Sequence, residues 1–211
     1  MMLPKGMFLS LDGLDGSGKS TQCRLLAEYL KSIGISVVSC QDPGSTEIGR
    51  DLRRIVLHHK GDLSRSCEAN LFMAARAQML TEIILPALDR GETVISDRYL
   101  LATMAYQGHG SGLDIPGLRQ ATLFAAGGLL PDLSFVLDIS VATARGRLGA
   151  NPDRLESRPH EYHERVRQGF LIEASRDTDR IVVVSAEAST EAVHTAVLSA
   201  FKTWRARHEL A

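Results

Sequence analysis

Between the apolar run at residues 7–11 and a helical pattern opening near Lys19 lies Gly13-Leu14-Asp15-Gly16-Ser17-Gly18-Lys19-Ser20, which fits the pattern G-x-x-x-x-G-K-[ST]. Such a loop needs a strand before it and a helix after it, so it sets the start of the fold. The glycines let successive backbone N–H groups turn inward on a phosphate, and the helix N-terminus adds partial positive charge. Lys19 supplies a mobile cation and the Ser20 hydroxyl a magnesium ligand. Residues Gly13, Leu14, Asp15, Gly16, Ser17, Gly18, Lys19, Ser20 and Thr21 are therefore read as a nucleoside triphosphate site. The flanking context argues against a turn that merely joins strand to helix.

The rest of the chain continues the alternation. Short apolar runs bounded by Gly, Asp, Pro or charge predict strands at 7–11, 36–40, 93–96, 134–137 and 181–184. Helical spacing fills the intervals. Leu25, Leu26, Tyr29, Leu30 and Ile33 mark a helix at 20–33, which Gly34 ends. The periodicity covers 67–88 until Asp89-Arg90-Gly91 breaks it, and Ala192, Val193, Val197, Leu198, Phe201 and Trp204 stripe 190–207. Strands alternating with helices give a mainly parallel sheet covered on both faces. With 211 residues, 44% hydrophobic and 23% charged, the chain can bury the core such a sheet needs, as one domain over 1–211 with a small lid.

A formal net charge of −1 gives no general attraction to nucleic acid or an anionic membrane, so phosphate binding belongs in a local cleft. The first apolar run is too short for a secretory signal, and no stretch approaches the ~18 apolar residues of a membrane span. We expect no targeting segment and neither a membrane nor a nucleic-acid partner. Cys23, Cys40 and Cys67 are odd in number, lack metal-ligand spacing and lie in apolar or helical stretches, which predicts reduced core thiols and a cytoplasmic location. His58, His59, His160 and His163 pair with no Cys or carboxylate at zinc spacing and are read as exposed, with no structural metal.

Two segments resist the layered reading. Residues 107–117 hold five glycines or prolines, and residues 145–158 mix Gly149, Asn151 and Pro152 with four arginines. Both are candidates for mobile segments that close over a triphosphate and exclude water; for the arginines, a solvated charged face is the alternative. Val94-Ile95-Ser96-Asp97-Arg98-Tyr99 is an apolar strand that ends in an acid followed by a base. Ligands of an open parallel sheet sit beyond the carboxyl ends of its strands, so Asp97 and Arg98 should face the crevice of the phosphate loop. Asp97 can hold magnesium directly or through water. Arg98 can grip a phosphate with its planar fork. A structural ion pair at a strand end is the plainer alternative.

Together with further stretches these residues resemble one family, the thymidylate kinases, which phosphorylate dTMP to dTDP with ATP. The similarity takes in Asp42-Pro43-Gly44-Ser45-Thr46, Leu52-Arg53, Leu71-Phe72-Met73-Ala74-Ala75-Arg76-Ala77-Gln78, Asp97-Arg98-Tyr99 and Ala105-Tyr106-Gln107-Gly108. It continues through Pro131-Asp132, Asp153-Arg154-Leu155-Glu156 and Glu164-Arg165-Val166-Arg167-Gln168-Gly169-Phe170. The resemblance implies a P-loop nucleoside monophosphate kinase fold, a five-stranded mainly parallel sheet flanked by helices with a small lid at about 145–158. It implies ATP as donor, dTMP as acceptor and Mg²⁺ as cofactor.

The resemblance also implies roles for single residues, some of which their chemistry supports. A flat pyrimidine needs an apolar face, and Phe72 offers one, with stacking worth about 1 kcal/mol. Arg76, four residues on, shares that helix face and can donate to a thymine carbonyl; buried core is the alternative for Phe72. By resemblance, Thr103 and Gln107 contact the remaining base edge, and Arg53 and Arg98 hold the dTMP phosphate. Asp42 then lies near magnesium and the acceptor phosphate, so Ser20, Asp97 and Asp42 form the metal set. Asp15 would be repelled by a triphosphate unless it faces another ligand, and the resemblance implies that it accepts the sugar 3′-hydroxyl while Tyr106 crowds a ribose 2′-hydroxyl. Phosphoryl transfer needs alignment and charge neutralisation, which assigns Lys19 to the donor phosphates and Arg147 with Arg154 to a lid over ATP. Gly16 and Ser17 are neutral, as in the family type that carries its cations in the lid, and Arg147 is the expected transition-state cation.

The chain departs from the family pattern at several points. Asp42 replaces the commoner Glu, Gln41 stands where Arg often does, and Ser45 replaces a second glycine. Leu100-Leu101-Ala102-Thr103-Met104 leaves Thr103 as the only hydroxyl there, and Gly149 stands where a base is frequent, with Arg158 available to compensate. Other readings stay open: a kinase of another nucleoside monophosphate or a deoxynucleoside on the same fold, or a nucleotide-dependent regulatory module. Against the module, the guanine-reading N-K-x-D signature is absent. The resemblance further implies a homodimer paired through helices, for which 71–88 could serve, with buried core an equal explanation.

Overall fold

The computed structural model of the protein describes residues 6–149 and 152–208; Ala150 and Asn151, in the expected lid, lie outside the described residues. Five strands form one sheet: β1 (Phe8–Gly13), β2 (Val37–Gln41), β3 (Thr93–Asp97), β4 (Leu133–Asp138) and β5 (Ile181–Ser185). Their order is β2-β3-β1-β4-β5 and every pairing is parallel. β1 is central, with Leu9 opposite both Ile95 and Leu133, and all six of its residues are buried. A strand covered on both faces reads as an unbroken apolar run, which is why FLSL was legible.

Successive side chains of β1 part company, as pleating requires. Phe8 joins a cluster with Val94, Met79, Ile84 and Tyr99. Leu9 and Leu11 join a larger one with Leu26, Leu30, Phe135, Phe170, Val197 and Phe201. The first set draws on the long helix that precedes β3. That helix runs as α3 (Arg65–Met79), a π turn (Leu80–Ile84) and α4 (Leu85–Asp89), and the π turn falls just before Pro86, which has no N–H to continue the ladder. The second set draws on α1 (Lys19–Ser32), α8 (His160–Ser175) and α9 (Thr190–His208). Residues 65–89 also correct an expectation: by length and composition alone this helix could cross a membrane, a test that the core helix of a soluble protein passes too.

Five helices beyond those expected complete the layers: α2 (Glu47–His58), α5 (Leu100–Thr103), α6 (Ile115–Ala125), α7 (Val141–Arg147) and α8. Thr46, Ser64, Asp114 and Ser140 cap α2, α3, α6 and α7 by accepting from backbone N–H groups of the first turn. α1 has no such side-chain cap; Gly18 precedes it in a left-handed conformation, φ 92°, so its first amides stay available.

The expected mobile loop at 107–117 is corrected. Met104–Gly110 winds as π turns against α8, and only 111–114 separate it from α6. A Cβ on Gly110 would sit 2.6 Å from Val166 and 2.8 Å from Tyr162, so that glycine serves close packing. Two side chains also differ from expectation. Cys23 and Cys40 are buried free thiols, but Cys67 is exposed on the first turn of α3, where its amide donates to Ser64 Oγ. His163 is buried, because α8 presents it inward beside Tyr162.

Candidate active site

The loop after β1 is shaped by its glycines. Gly16 has φ 83°, and a Cβ there would come within 2.3 Å of the Ala144 carbonyl oxygen, so no other residue fits without displacing α7. The buried Lys19 donates from Nζ to Leu14 O at 2.7 Å and lies 3.9 Å from Asp15. Burial, and then Arg98, push its ammonium below the ordinary lysine value. Ser20 Oγ donates to Asp97 Oδ2 from the facing end of β3. This hydroxyl and carboxylate, both hard oxygen donors on the wall of one cavity, fit a magnesium ion. Among the described residues no three His, Cys, Asp or Glu side chains gather as a metal cage, so phosphates and water would supply the other ligands.

Arg98 closes the crevice from the other side. Its backbone is left-handed, φ 71°, and is held there by its own N–H to Leu11 O at 2.9 Å and by Ser96 Oγ donating to its carbonyl at 2.6 Å. A non-glycine residue in that region is strained, and the strain aims the guanidinium back across the loop. Nη1 donates to Gly13 O at 3.1 Å, Nη2 reaches the Asp15 carboxylate, and the guanidinium lies 4.9 Å over the Tyr106 ring. Tyr106 also donates its hydroxyl to Asp15 at 2.8 Å. Burial alone would raise the Asp15 carboxyl, but Arg98, Lys19 and the Tyr106 bond outweigh it and hold it well below the usual carboxylate range. Asp15 is thus a fixed anion beside the phosphate loop.

Two cavities meet at this point. The larger, about 1290 Å³, is lined by residues 15–22, Gln41, Asp97, Arg147, Ala188, Ser189, Thr190 and Val193. The smaller, about 510 Å³, is lined by Asp42, Pro43, Leu57, Phe72, Arg76, Ala102, Thr103, Tyr106, Gln107, Asp153 and Leu155. Asp15, Arg53 and Arg98 line both.

One face of α3 builds the second cavity. Glu68, Phe72 and Arg76 follow at intervals of four, and Thr103 and Gln107 stand opposite on α5 and the π turns. Arg76 is 1% exposed; Nε donates to Asp42 at 2.6 Å, and Nη2 donates to Tyr99 O at 3.1 Å and Thr103 Oγ1 at 2.8 Å. Gln107 Nε2 donates to Glu68 at 2.9 Å, and Arg53 donates to Pro43 O at 3.0 Å. Asp42 faces this cavity and Arg76 rather than lining the one that holds Ser20 and Asp97.

The arginines of 145–158 divide. Arg147 lines the larger cavity and donates to Ala186 O at 3.0 Å. Arg154 lines neither cavity, donating to Val56 O at 2.8 Å and Glu68 at 2.6 Å; Arg158 joins it on Glu68 at 2.7 Å. Sequence reasoning missed Glu68, Leu57 and the lining roles of Asp153 and Leu155. An isolated Glu in a helix carries no signal of the cations that reach it from 86 and 90 residues away.

A phosphate loop at the end of the central strand of this five-stranded parallel sheet, with two adjoining cavities beside it, defines a P-loop nucleoside monophosphate kinase fold. A crystal structure of thymidylate kinase from Ehrlichia chaffeensis superposes with TM-score 0.79 at 30% identity, covering 94% of this chain and all of that one. The Thymidylate kinase family model matches residues 11–197. The thymidylate kinase of Leifsonia xyli subsp. xyli is 45% identical over 191 residues, 89% of this chain and 90% of that protein. That of Clavibacter michiganensis subsp. michiganensis is 46% identical over 195 residues, 91% and 92% of the two. The chain belongs to the thymidylate kinase family.

Proposed function

We propose that this chain transfers the γ-phosphoryl group of ATP to dTMP, forming dTDP and ADP. The observation that supports the reading is the pair of cavities joined through Asp15, Arg53 and Arg98, an arrangement suited to a donor and an acceptor phosphate facing each other. The loop amides, Lys19 and the first turn of α1 hold the donor phosphates, and the hydroxyl of Ser20 with Asp97 holds Mg²⁺. When bound, Mg²⁺ neutralises charge on the donor phosphates.

In the smaller cavity the thymine ring stacks on Phe72, Arg76 donates to a base carbonyl, and Thr103 and Gln107 meet the remaining edge. Arg53 and Arg98 hold the 5′-phosphate, Arg98 exchanging Asp15 for it. Asp15 accepts the 3′-hydroxyl, and Tyr106 sits against the deoxyribose. Asp42 acts through Arg76. Little covalent work remains for the protein, since transfer requires alignment and cations around the moving group. Arg147, on the wall of the larger cavity, is the cation assigned to that group. Arg154, in the same 145–158 lid, holds the segment on the acceptor side. We further place the enzyme in the cytoplasm as a homodimer, consistent with the apolar α3–α4 helix.

The test is ADP formation from ATP with dTMP, dUMP, TMP ribonucleotide, dCMP, dGMP, AMP and thymidine as separate acceptors, with and without Mg²⁺. Turnover should prefer dTMP and stop on chelation; preference for another acceptor would move the assignment to a sister kinase.

A further inference from the structure

Glu68 is fully buried on the first turn of α3 and accepts three hydrogen bonds from separate parts of the chain. Oε1 takes the Gln107 amide at 2.9 Å, while Oε2 takes Arg154 at 2.6 Å and Arg158 at 2.7 Å. Both arginines are themselves tied down. Arg158 lies 4.5 Å over the Tyr162 ring and donates to Ser111 Oγ at 2.8 Å. Arg154 donates from Nε to Val56 O, and its neighbours Asp153 and Leu155 wall the smaller cavity. Gln107 lines that cavity from the opposite side.

We propose that Glu68 is a positioning residue that couples the reading of the acceptor base to the seating of the lid. One oxygen fixes the orientation of Gln107, and the other clamps the two arginines that bring Asp153 and Leu155 against the bound nucleotide. An amide in its place has one accepting oxygen and an NH₂ group: turned to the guanidinium groups the NH₂ meets donors, and turned to Gln107 it is satisfied only if the Gln107 amide flips and presents its other edge to the base. The carboxylate is therefore required on both sides. The inference rests on the proposal that the smaller cavity binds dTMP.

The experiment compares wild type, Glu68→Gln and Arg158→Ala by hydrogen exchange of residues 152–158, with and without dTMP, and by KM for dTMP and for ATP. In wild type, dTMP alone should slow exchange of the lid. In Glu68→Gln the lid should exchange faster, lose its response to dTMP and show a KM for dTMP raised about tenfold or more, as expected when buried donors lose their acceptor, while KM for ATP stays unchanged. Arg158→Ala, outside the cavity lining, should loosen the lid with a smaller rise in KM, and it decides the matter if Glu68→Gln fails to fold. Folded variants with wild-type exchange, dTMP response and KM for dTMP would overturn the coupling and leave the kinase reading intact. A wild type that neither binds nor uses dTMP would overturn both.

Discussion

Asp42 and Arg76 form a buried ion pair, Oδ2 to Nε at 2.6 Å, in which each partner keeps one polar atom, Oδ1 and Nη1, without a hydrogen bond. Both residues line the acceptor cavity. A buried donor and acceptor left unmatched are costly in a finished core, yet fitting for a ligand that offers a carbonyl to Nη1 and an N–H or O–H to Oδ1.

Breaking the pair from one side leaves a buried charge. Arg76→Met should lower unfolding stability by about 3–5 kcal/mol, and adding Asp42→Leu should recover part of it. Urea unfolding checks this; a loss below about 1 kcal/mol would show that Asp42 is not stranded. Affinity for dTMP should not return in the double variant.

Phe72 lines the smaller cavity, where we propose it stacks on the base. Losing about 1 kcal/mol of stacking in Phe72→Leu should raise KM for dTMP about fivefold while kcat and KM for ATP stay near wild type. Steady-state kinetics decide, and an unchanged KM for dTMP would move the base elsewhere.

Gly16 tests the donor side separately. Gly16→Ala forces a left-handed alanine whose Cβ meets the Ala144 carbonyl, so ATP affinity should fall at least about tenfold while dTMP still binds. Titration calorimetry with each nucleotide alone makes the comparison; equal losses for both would mean the fold had failed.

All five strands lie within about two residues of their predicted positions, because the buried central strands, and the half-covered edge strands β2 and β5 as well, write themselves as short apolar runs. Residues 107–117 misled for a physical reason. Gly108 and Gly110 look like loop residues, but they let helical segments approach, Gly108 against Ile115 and Gly110 against Tyr162 and Val166. In the site, the phosphate loop and the four-residue step from Phe72 to Arg76 were legible as local patterns. Glu68 and the left-handed backbone of Arg98 exist only through tertiary contacts, and the inward turn of His163 likewise depends on how α8 packs.

His163 gives the protein an acid-sensitive component. Burial, with Arg145 next, holds its imidazole below the ordinary 6.5, while backbone hydrogen bonds with Glu156 and Arg158 and the charge on Asp15 oppose this less strongly. A base with a depressed folded pKa is proton-poor in the native state, so its contribution to stability is full above pH 6.5 and is lost as pH falls through the lower folded value. Thermal unfolding of wild type and His163→Asn from pH 7.5 to 5 should therefore show the wild type losing more on acidification. Parallel curves would remove His163 from the cause.

The central claim is that one phosphoryl group crosses between the two cavities under Arg98. The most direct measurement follows label from γ-labelled ATP in the presence of dTMP and Mg²⁺, in wild type and in Arg98→Ala. Label is expected in dTDP with wild type and in no acceptor product with the variant. Label released as inorganic phosphate by wild type, or transferred equally by Arg98→Ala, would contradict it.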